Sequence, residues 1–233
     1  MYTQSKIIVL STIKYADADL IVKCLSEKKG KLSFLVKGAR KGGKNKTRMA
    51  YFQPFNILQA TFQYRENKNL LYFKELNIDQ PLANIHQDIK RSSIVLLLTE
   101  IVEKAIQEEE VNEDMFAYIE NAICWLDSNS ENQNFHIAFL IGLTRYLGIY
   151  PDSSQINDIV VGDGHANLKV RNNSLVKLEE LLKSHISLTN AHQFKLAKNE
   201  KLEILNALIL YYRNMIPGFK IPQSYAVVKD VFS

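Results

Sequence analysis

With 233 residues, 46% of them hydrophobic and 10% aromatic, the chain has the material for one large packed domain or two ordinary ones, which excludes disorder throughout. Its 29 Lys and Arg against 25 Asp and Glu leave a formal charge of +4 that is unevenly spread: residues 1–80 carry 15 cations against 6 acids, a net +9, and residues 81–233 carry 14 against 19, a net −5. No apolar run reaches the roughly 18–20 residues of a membrane span, and the opening Met-Tyr-Thr-Gln-Ser-Lys lacks a basic region leading into an apolar one, so a cytoplasmic protein without membrane contact is expected.

Up to about residue 80 the pattern has the period of strands. Lys6 to Ile13, Asp19 to Ser26, Lys31 to Lys37, Phe55 to Arg65 and Asn69 to Ile78 are short runs rich in Val, Ile, Leu, Phe and Tyr, separated by turn residues such as Asp17, Gly30, Gly38, Pro54 and Asn67. Five strands in this length predict a small barrel. In the third run Leu32, Phe34 and Val36 alternate with Lys31, Ser33, Leu35 and Lys37, which places both lysines on the outward face. In the fourth, Leu58, Ala60, Phe62 and Tyr64 oppose Gln59, Thr61, Gln63 and Arg65.

After Pro81 the period changes to that of helices. Ile94, Leu97, Leu98, Ile101, Ala105 and Ile106 recur at helical spacing, followed by Phe116, Ile119, Ile123 and Leu126, and then by Phe135, Phe139, Leu143 and Tyr146. Loop signals fill residues 150–173, with Ile159 to Val161 as a short strand, before helix returns at Leu175 to Leu182 and Leu202 to Ile216, the latter ended by Pro217-Gly218. The expected architecture is therefore α+β in two domains: a five-stranded barrel over 1–80 and an all-α domain over 81–233 with an irregular insert around 150–173.

The most informative stretch joins the third and fourth runs. Between Lys28 and Arg48 stand nine cations, Lys28, Lys29, Lys31, Lys37, Arg40, Lys41, Lys44, Lys46 and Arg48, and no Asp or Glu. Lys37 to Arg48 is too rich in Gly and Lys to bury itself, so it reads as a solvated loop held at both ends by strands and built to meet a polyanion. Tyr51, Phe52, Phe55, Phe62, Tyr64, Tyr72 and Phe73 follow it closely. A basic groove with a few exposed rings holds single strands by stacking, and Tyr51 and Tyr64 are the expected exposed rings because a hydroxyl tolerates water. The candidate nucleic-acid contacts are Lys31, Lys37, Arg40, Lys41, Lys44, Lys46, Arg48, Tyr51, Tyr64 and Arg65.

Catalytic constellations are not found. Gly38-Ala-Arg-Lys-Gly-Gly43-Lys44 fits seven places of a phosphate-binding loop, but the eighth is Asn45, which supplies no hydroxyl for Mg²⁺, and no apolar helix opens behind it. The glycines instead let the backbone come close to a nucleic-acid strand. His86, His136, His165, His185 and His192 lack metal-ligand spacing, and the acids from Glu100 to Asp114 read as a solvated face. Cys24 and Cys124 read as small buried apolar side chains. No enzymatic activity, cofactor or metal is expected.

These residues together resemble a known family. Ile7-Ile-Val-Leu10, the Tyr15-Ala-Asp17-Ala-Asp19 turn, Gly30-Lys31, Lys37-Gly-Ala-Arg40 with the basic residues behind it, Phe52-Gln-Pro-Phe55, Leu147-Gly-Ile-Tyr-Pro151 and the tail Gly218-Phe-Lys-Ile-Pro-Gln-Ser224 are similar, in this order, to the RecO family of bacterial recombination mediators. The resemblance implies an N-terminal OB-fold and a helical C-terminal domain. It implies binding of single- and double-stranded DNA, annealing of complementary strands, and partnership with RecR, with the acidic C-terminal tail of single-stranded DNA-binding protein (SSB) and indirectly with RecA, in the cytoplasm and on the nucleoid. The carry-over is strongest at Lys37 and Arg40. Many members have a four-cysteine zinc site after the Leu-Gly-x-x-Pro segment, and residues 152–173 contain no cysteine, so a zinc-less insert is expected. A hydrophobic pocket for the tail peptide is expected in the helical half, with Leu97, Ile101, Phe139 and Leu143 as walls and Arg145 for a carboxylate. An OB-type RNA-binding module in translation shares every signal up to residue 80, and a nucleotide hydrolase using the 38–45 loop is the enzymatic alternative.

Overall fold

The computed structural model describes residues 2–41, 49–65, 68–106, 110–130, 133–152 and 170–232. The expected short strand at 159–161 and the body of the 150–173 insert lie outside them.

Five strands form the N-terminal unit: β1 (Tyr2–Tyr15), β2 (Asp19–Ser26), β3 (Gly30–Val36), β4 (Ile57–Gln63) and β5 (Phe73–Gln80). They lie in the order β3-β2-β1-β4-β5, all neighbours antiparallel. The ends meet where Leu35 N–H donates to Leu71 C=O and Leu71 N–H donates to Ser33 C=O, each at 2.9 Å, a parallel bridge centred on Phe34 and Leu71. This closes the sheet with OB-fold connectivity and covers the edge of β3 with the chain that leads into β5. Register shifts between Val9 and Ser11 and within the β4–β5 pairing supply the curvature that closure requires.

β1 is four residues longer at its start than its sequence run. It is also unusual in burying consecutive residues, Ile7, Ile8, Val9 and Leu10, none more than 2% exposed. Two cores explain this. Ile7 and Val9 join Val22, Phe34, Leu58 and Phe62 inside the barrel, while Ile8 and Leu10 join Leu25, Phe55 and Ile57 in the cluster formed with the helices. A strand covered on both faces needs an unbroken apolar run instead of alternation. Inside the barrel, Phe34 meets Phe62 edge-on at 5.1 Å and stacks on Phe73 at 4.0 Å.

The helical part contains α1 (Ile89–Ala105), α2 (Glu113–Ser128), α3 (Phe135–Tyr146), α4 (Asn172–Lys183), α5 (Lys198–Met215) and α6 (Tyr225–Phe232). Asp88 and Asn112 cap α1 and α2 by accepting from the Arg91 and Met115 N–H groups. Gly142 on α3 makes room for Tyr118 of α2: an added Cβ would stand 2.1 Å from the tyrosine hydroxyl, which donates to the Phe139 carbonyl at 2.9 Å. The short α6 was not visible as a helical pattern. Glu100 of α1 creates its start by accepting from Gln223 N–H, Ser224 N–H and Ser224 Oγ, and these bonds with Lys104 hold the Glu100 carboxyl down at about 2 against the burial that opposes them. No described helix is long and apolar enough to cross a membrane.

Candidate nucleic-acid interface

The basic loop leaves the barrel through a fastened root. Gly38, at φ 64°, turns the chain off the end of β3 in a conformation that costs glycine little. Its N–H donates to Asp19 Oδ1 at 2.8 Å, and the Arg40 N–H donates to the Ala18 carbonyl at 2.9 Å, so the root is tied to the β1–β2 turn. Ala39 is buried beneath it, whereas Lys37, Arg40 and Lys41 are exposed. The returning chain is anchored by buried Phe52 and Phe55 and by Asn56 Nδ2, which donates to the Ala50 and Tyr51 carbonyls. Lys44, Lys46 and Arg48 lie outside the described residues, as does the second half of the near-match to a phosphate loop.

The expected aromatic contacts are placed differently from the sequence reading. Tyr51 and Tyr64 are half-buried and pack against the barrel core, while Tyr72, at 51%, and Tyr2, at 56%, are the more exposed rings. Burial in an OB barrel follows the closing path of β5, which local spacing does not record. Among the described residues, three lysines stand over tyrosine rings: Lys29 over Tyr64 at 4.6 Å, Lys37 over Tyr72 at 5.6 Å and Lys74 over Tyr2 at 4.4 Å. Tyr2, Lys74 and Lys29 are not among the expected contacts: Tyr2 and Lys74 stand on β1 and β5, with β4 between them, and Lys29 and Tyr64 follow the ends of β2 and β4, so their meeting depends on the register of several strands together. Arg65 is exposed and donates to Gln63 Oε1 at 3.2 Å.

Lys31 is not with this group. Its Nζ donates to the Glu103 carbonyl at 3.2 Å and to the Ile106 carbonyl at 2.6 Å, at the C-terminal end of α1 where helix carbonyls are otherwise unpaired. The alternation along β3 is as read, but helix covers one end of the outward face. Lys23 likewise pairs with Glu103 at 2.6 Å, and Lys6 with Glu120 at 2.7 Å and Asp79 at 3.6 Å, the Glu120 hydrogen bond holding the Lys6 ammonium above its ordinary value. Part of the opposite charge of the two halves is therefore spent between them. Lys31→Ala is expected to lower stability by about 1 kcal/mol, since one half-exposed charged donor to two carbonyls is lost. Urea unfolding would test this, and an unchanged midpoint would show that the contact contributes nothing.

The expected peptide pocket needs correction. Leu97, Ile101, Phe139 and Leu143 are each no more than 1% exposed and belong to the main helical core, so they cannot wall an open pocket. Helical spacing marks a buried face without saying whether protein or ligand covers it. Arg145 is exposed, its guanidinium 4.7 Å from the Tyr150 ring. Beside it in the chain, a surface hollow of about 190 Å³ is lined by Ile106, Met115, Tyr146, Leu147, Met215 and Pro217.

Comparison with known proteins agrees with this architecture. The family model described as "Recombination protein O N terminal" matches residues 1–81, and that described as "Recombination protein O C terminal" matches residues 86–156. Along its full length the chain is 35% identical to the full-length "DNA repair protein RecO" of Flavobacterium psychrophilum and 36% identical to that of Flavobacterium johnsoniae. It is 32% identical to the protein of the same name from Bacteroides fragilis, with 97% of each chain covered.

Proposed function

The chain belongs to the RecO family of DNA repair proteins, and on that premise we propose that it is a recombinational repair mediator that binds single- and double-stranded DNA, anneals complementary strands and, with RecR, helps load RecA onto SSB-coated single strands. In this reading residues 1–80 are the DNA-binding domain and residues 81–233 the helical domain that meets protein partners, with a zinc-less insert around 150–173. The protein works in the cytoplasm and on the nucleoid.

The observation that carries the reading is the acid-free cationic loop on a barrel whose root leaves Lys37, Arg40 and Lys41 in solvent. A polyanion approaching this side meets cations that the helices have not claimed, unlike Lys6, Lys23 and Lys31. Phosphates of two strands neutralised together repel each other less, while base edges stay free to pair, so annealing proceeds without nucleotide hydrolysis. The SSB tail, which ends in a carboxylate, would meet the helical half at the exposed Arg145 and not in the neighbouring hollow, whose described lining includes Glu110 and no cation.

If about six cations touch single-strand phosphates, the logarithm of affinity falls against the logarithm of salt with a slope near −4. Replacing Arg40, Lys41, Lys44 and Lys46 together by alanine is expected to flatten the slope by roughly half or more and to weaken binding to all sequences alike. Fluorescence anisotropy across a salt series reads both quantities. A slope equal to that of the wild type would reject the loop as the contact surface.

A further inference from the structure

A cleft on the barrel, separate from the loop, has the shape and lining for unpaired bases. It encloses about 290 Å³ against Tyr2, Arg65, Lys68, Tyr72, Phe73 and Lys74. A second hollow of about 180 Å³ also borders Tyr72 and Phe73 and reaches Lys37 at the root of the basic loop. The two share a wall of two aromatic rings, so they form one path from the start of β1 to the loop. Both are too small and open for a typical enclosed small-molecule site.

The walls are held before any ligand arrives. Phe73 stacks on Phe34 at 4.0 Å and lies 6.2 Å from Phe52, fixing the floor to the barrel core. Leu71 is pinned by its two backbone bonds to β3, which holds the adjoining Tyr72. Tyr2 is held opposite Gln63 by the β1–β4 ladder. Rings fixed in this way lose little freedom on binding.

The chemistry of the lining selects the occupant. Arg65, Lys68 and Lys74 stand around the larger hollow and Lys37 at the smaller, and no carboxylate is among the described lining residues; Glu66 lies outside them. Lys74 over Tyr2 and Lys37 over Tyr72 put an ammonium on one face of each exposed ring, so a base stacks on the opposite face or displaces the lysine, and in either case its phosphate lies near a cation. Exposed rings interleaved with cations fit a single strand, whose bases are free to stack, and give a duplex no use for the rings.

We propose that Tyr2 and Tyr72 form a base-stacking subsite for single-stranded DNA, with Lys74, Lys37 and Arg65 holding the backbone. The subsite rests on the DNA-binding reading above and adds to it a reason to distinguish single strands from duplex: the loop grips phosphates of either, and the cleft accepts only an unpaired base.

The test uses the full chain carrying Tyr2→Ala and Tyr72→Ala, both at half-exposed positions, against a short oligothymidine, an abasic strand of equal length and a hairpin duplex. Oligothymidine affinity should fall about tenfold per ring removed, with the abasic strand, the duplex and the salt slope unchanged. Tyr72→Trp should restore binding. Unchanged oligothymidine affinity, or an equal loss on the abasic strand, would overturn the subsite and leave the loop as the contact. Loss of oligoglutamate binding in the double variant, with oligothymidine unaffected, would assign the cleft to an acidic peptide instead. A wild-type chain that binds none of the nucleic acids would remove the subsite together with the reading beneath it.

Discussion

Replacing Asp127 by alanine is expected to lower the stability of the chain by about 4 kcal/mol. Asp127 lies near the end of α2 and is only 9% exposed. Its carboxylate faces the segment that carries the chain from β5 to α1: Oδ1 accepts from Asn84 N–H and Ile85 N–H, both at 2.8 Å, and Oδ2 accepts from Ala83 N–H at 3.0 Å. The same turn is closed from the other side, where Asn84 Nδ2 and Arg91 Nη1 donate to the Asp127 carbonyl at 2.9 and 3.0 Å. Alanine would leave three backbone donors without their acceptor while Ile85 stays buried in the helical core. Each such hydrogen bond to a charged group is worth about 1.5–3 kcal/mol, and partial rehydration of the segment brings the total back toward the figure above. Asp127→Asn is not a conservative replacement: its oxygen can serve Asn84 and Ile85, but its amide would point N–H at the Ala83 N–H, for a loss of about 2 kcal/mol. Urea unfolding of the two variants beside the wild type decides the matter. A change below about 1 kcal/mol for the alanine variant would mean that the segment is held by the apolar contacts of Ile85 alone.

The second large effect is on pH. His136, on α3, is 4% exposed, and burial first, with the positive charge of Lys201 second, pulls its imidazole down from 6.5 to about 4. The unfolded chain therefore takes up a proton at this residue at a pH where the folded chain does not, so the group's contribution to stability is fully present above 6.5 and is lost as the pH falls toward 4. At about 1.4 kcal/mol per pH unit this amounts to about 3 kcal/mol over the interval, with about 2 kcal/mol gone by pH 5. His86, lowered mainly by burial and bonded through Nε2 to Asn56 Oδ1 at 2.9 Å, adds a loss of the same sign. Glu100 acts lower on the scale: its carboxyl lies at about 2 against an ordinary 4.5, so its contribution disappears only as the pH falls below 4.5. Thermal unfolding between pH 7 and 5 should thus be dominated by histidine. In a His136→Gln variant the decline over that range should shrink to a small remainder. A decline as steep as that of the wild type would assign the acid sensitivity elsewhere.

The two effects also show which parts of the molecule were readable from spacing. Leu32, Phe34 and Val36, and Leu58, Ala60 and Phe62, recur at every second place, and each lies inside the barrel because a two-residue period leaves a strand little choice of face. Ile94, Leu98, Ile101, Phe116, Ile119 and Ile123 recur at helical spacing and are buried together. Asp127 was invisible in this way, because its partners are backbone groups about forty residues earlier, and backbone donors carry no residue type. The α6 helix was missed for a related reason: its start is organised by Glu100, more than a hundred residues away. In the interface, Lys37 and Arg40 could be named from the motif, whereas Tyr2 and Lys74 come together only through the register of β1 with β4 and of β4 with β5.

What the chain determined by itself was the kind of the five strands and of the helices α1 to α5, the change from β to α after residue 80, and a run of nine cations with no acid among them. These properties are local, because side-chain period and charge need no knowledge of neighbours in space. The tertiary structure alone decided which cations remain available. Lys31 lies six residues from Lys37 on the same strand parity, yet the end of α1 takes the first and leaves the second in solvent beside Tyr72. It also decided that Leu97 and Phe139 meet other helices instead of a ligand. Parity and periodicity say which way a side chain points; what stands there is settled by closure of the barrel and by the helices packed against it, and those contacts join residues far apart in the chain.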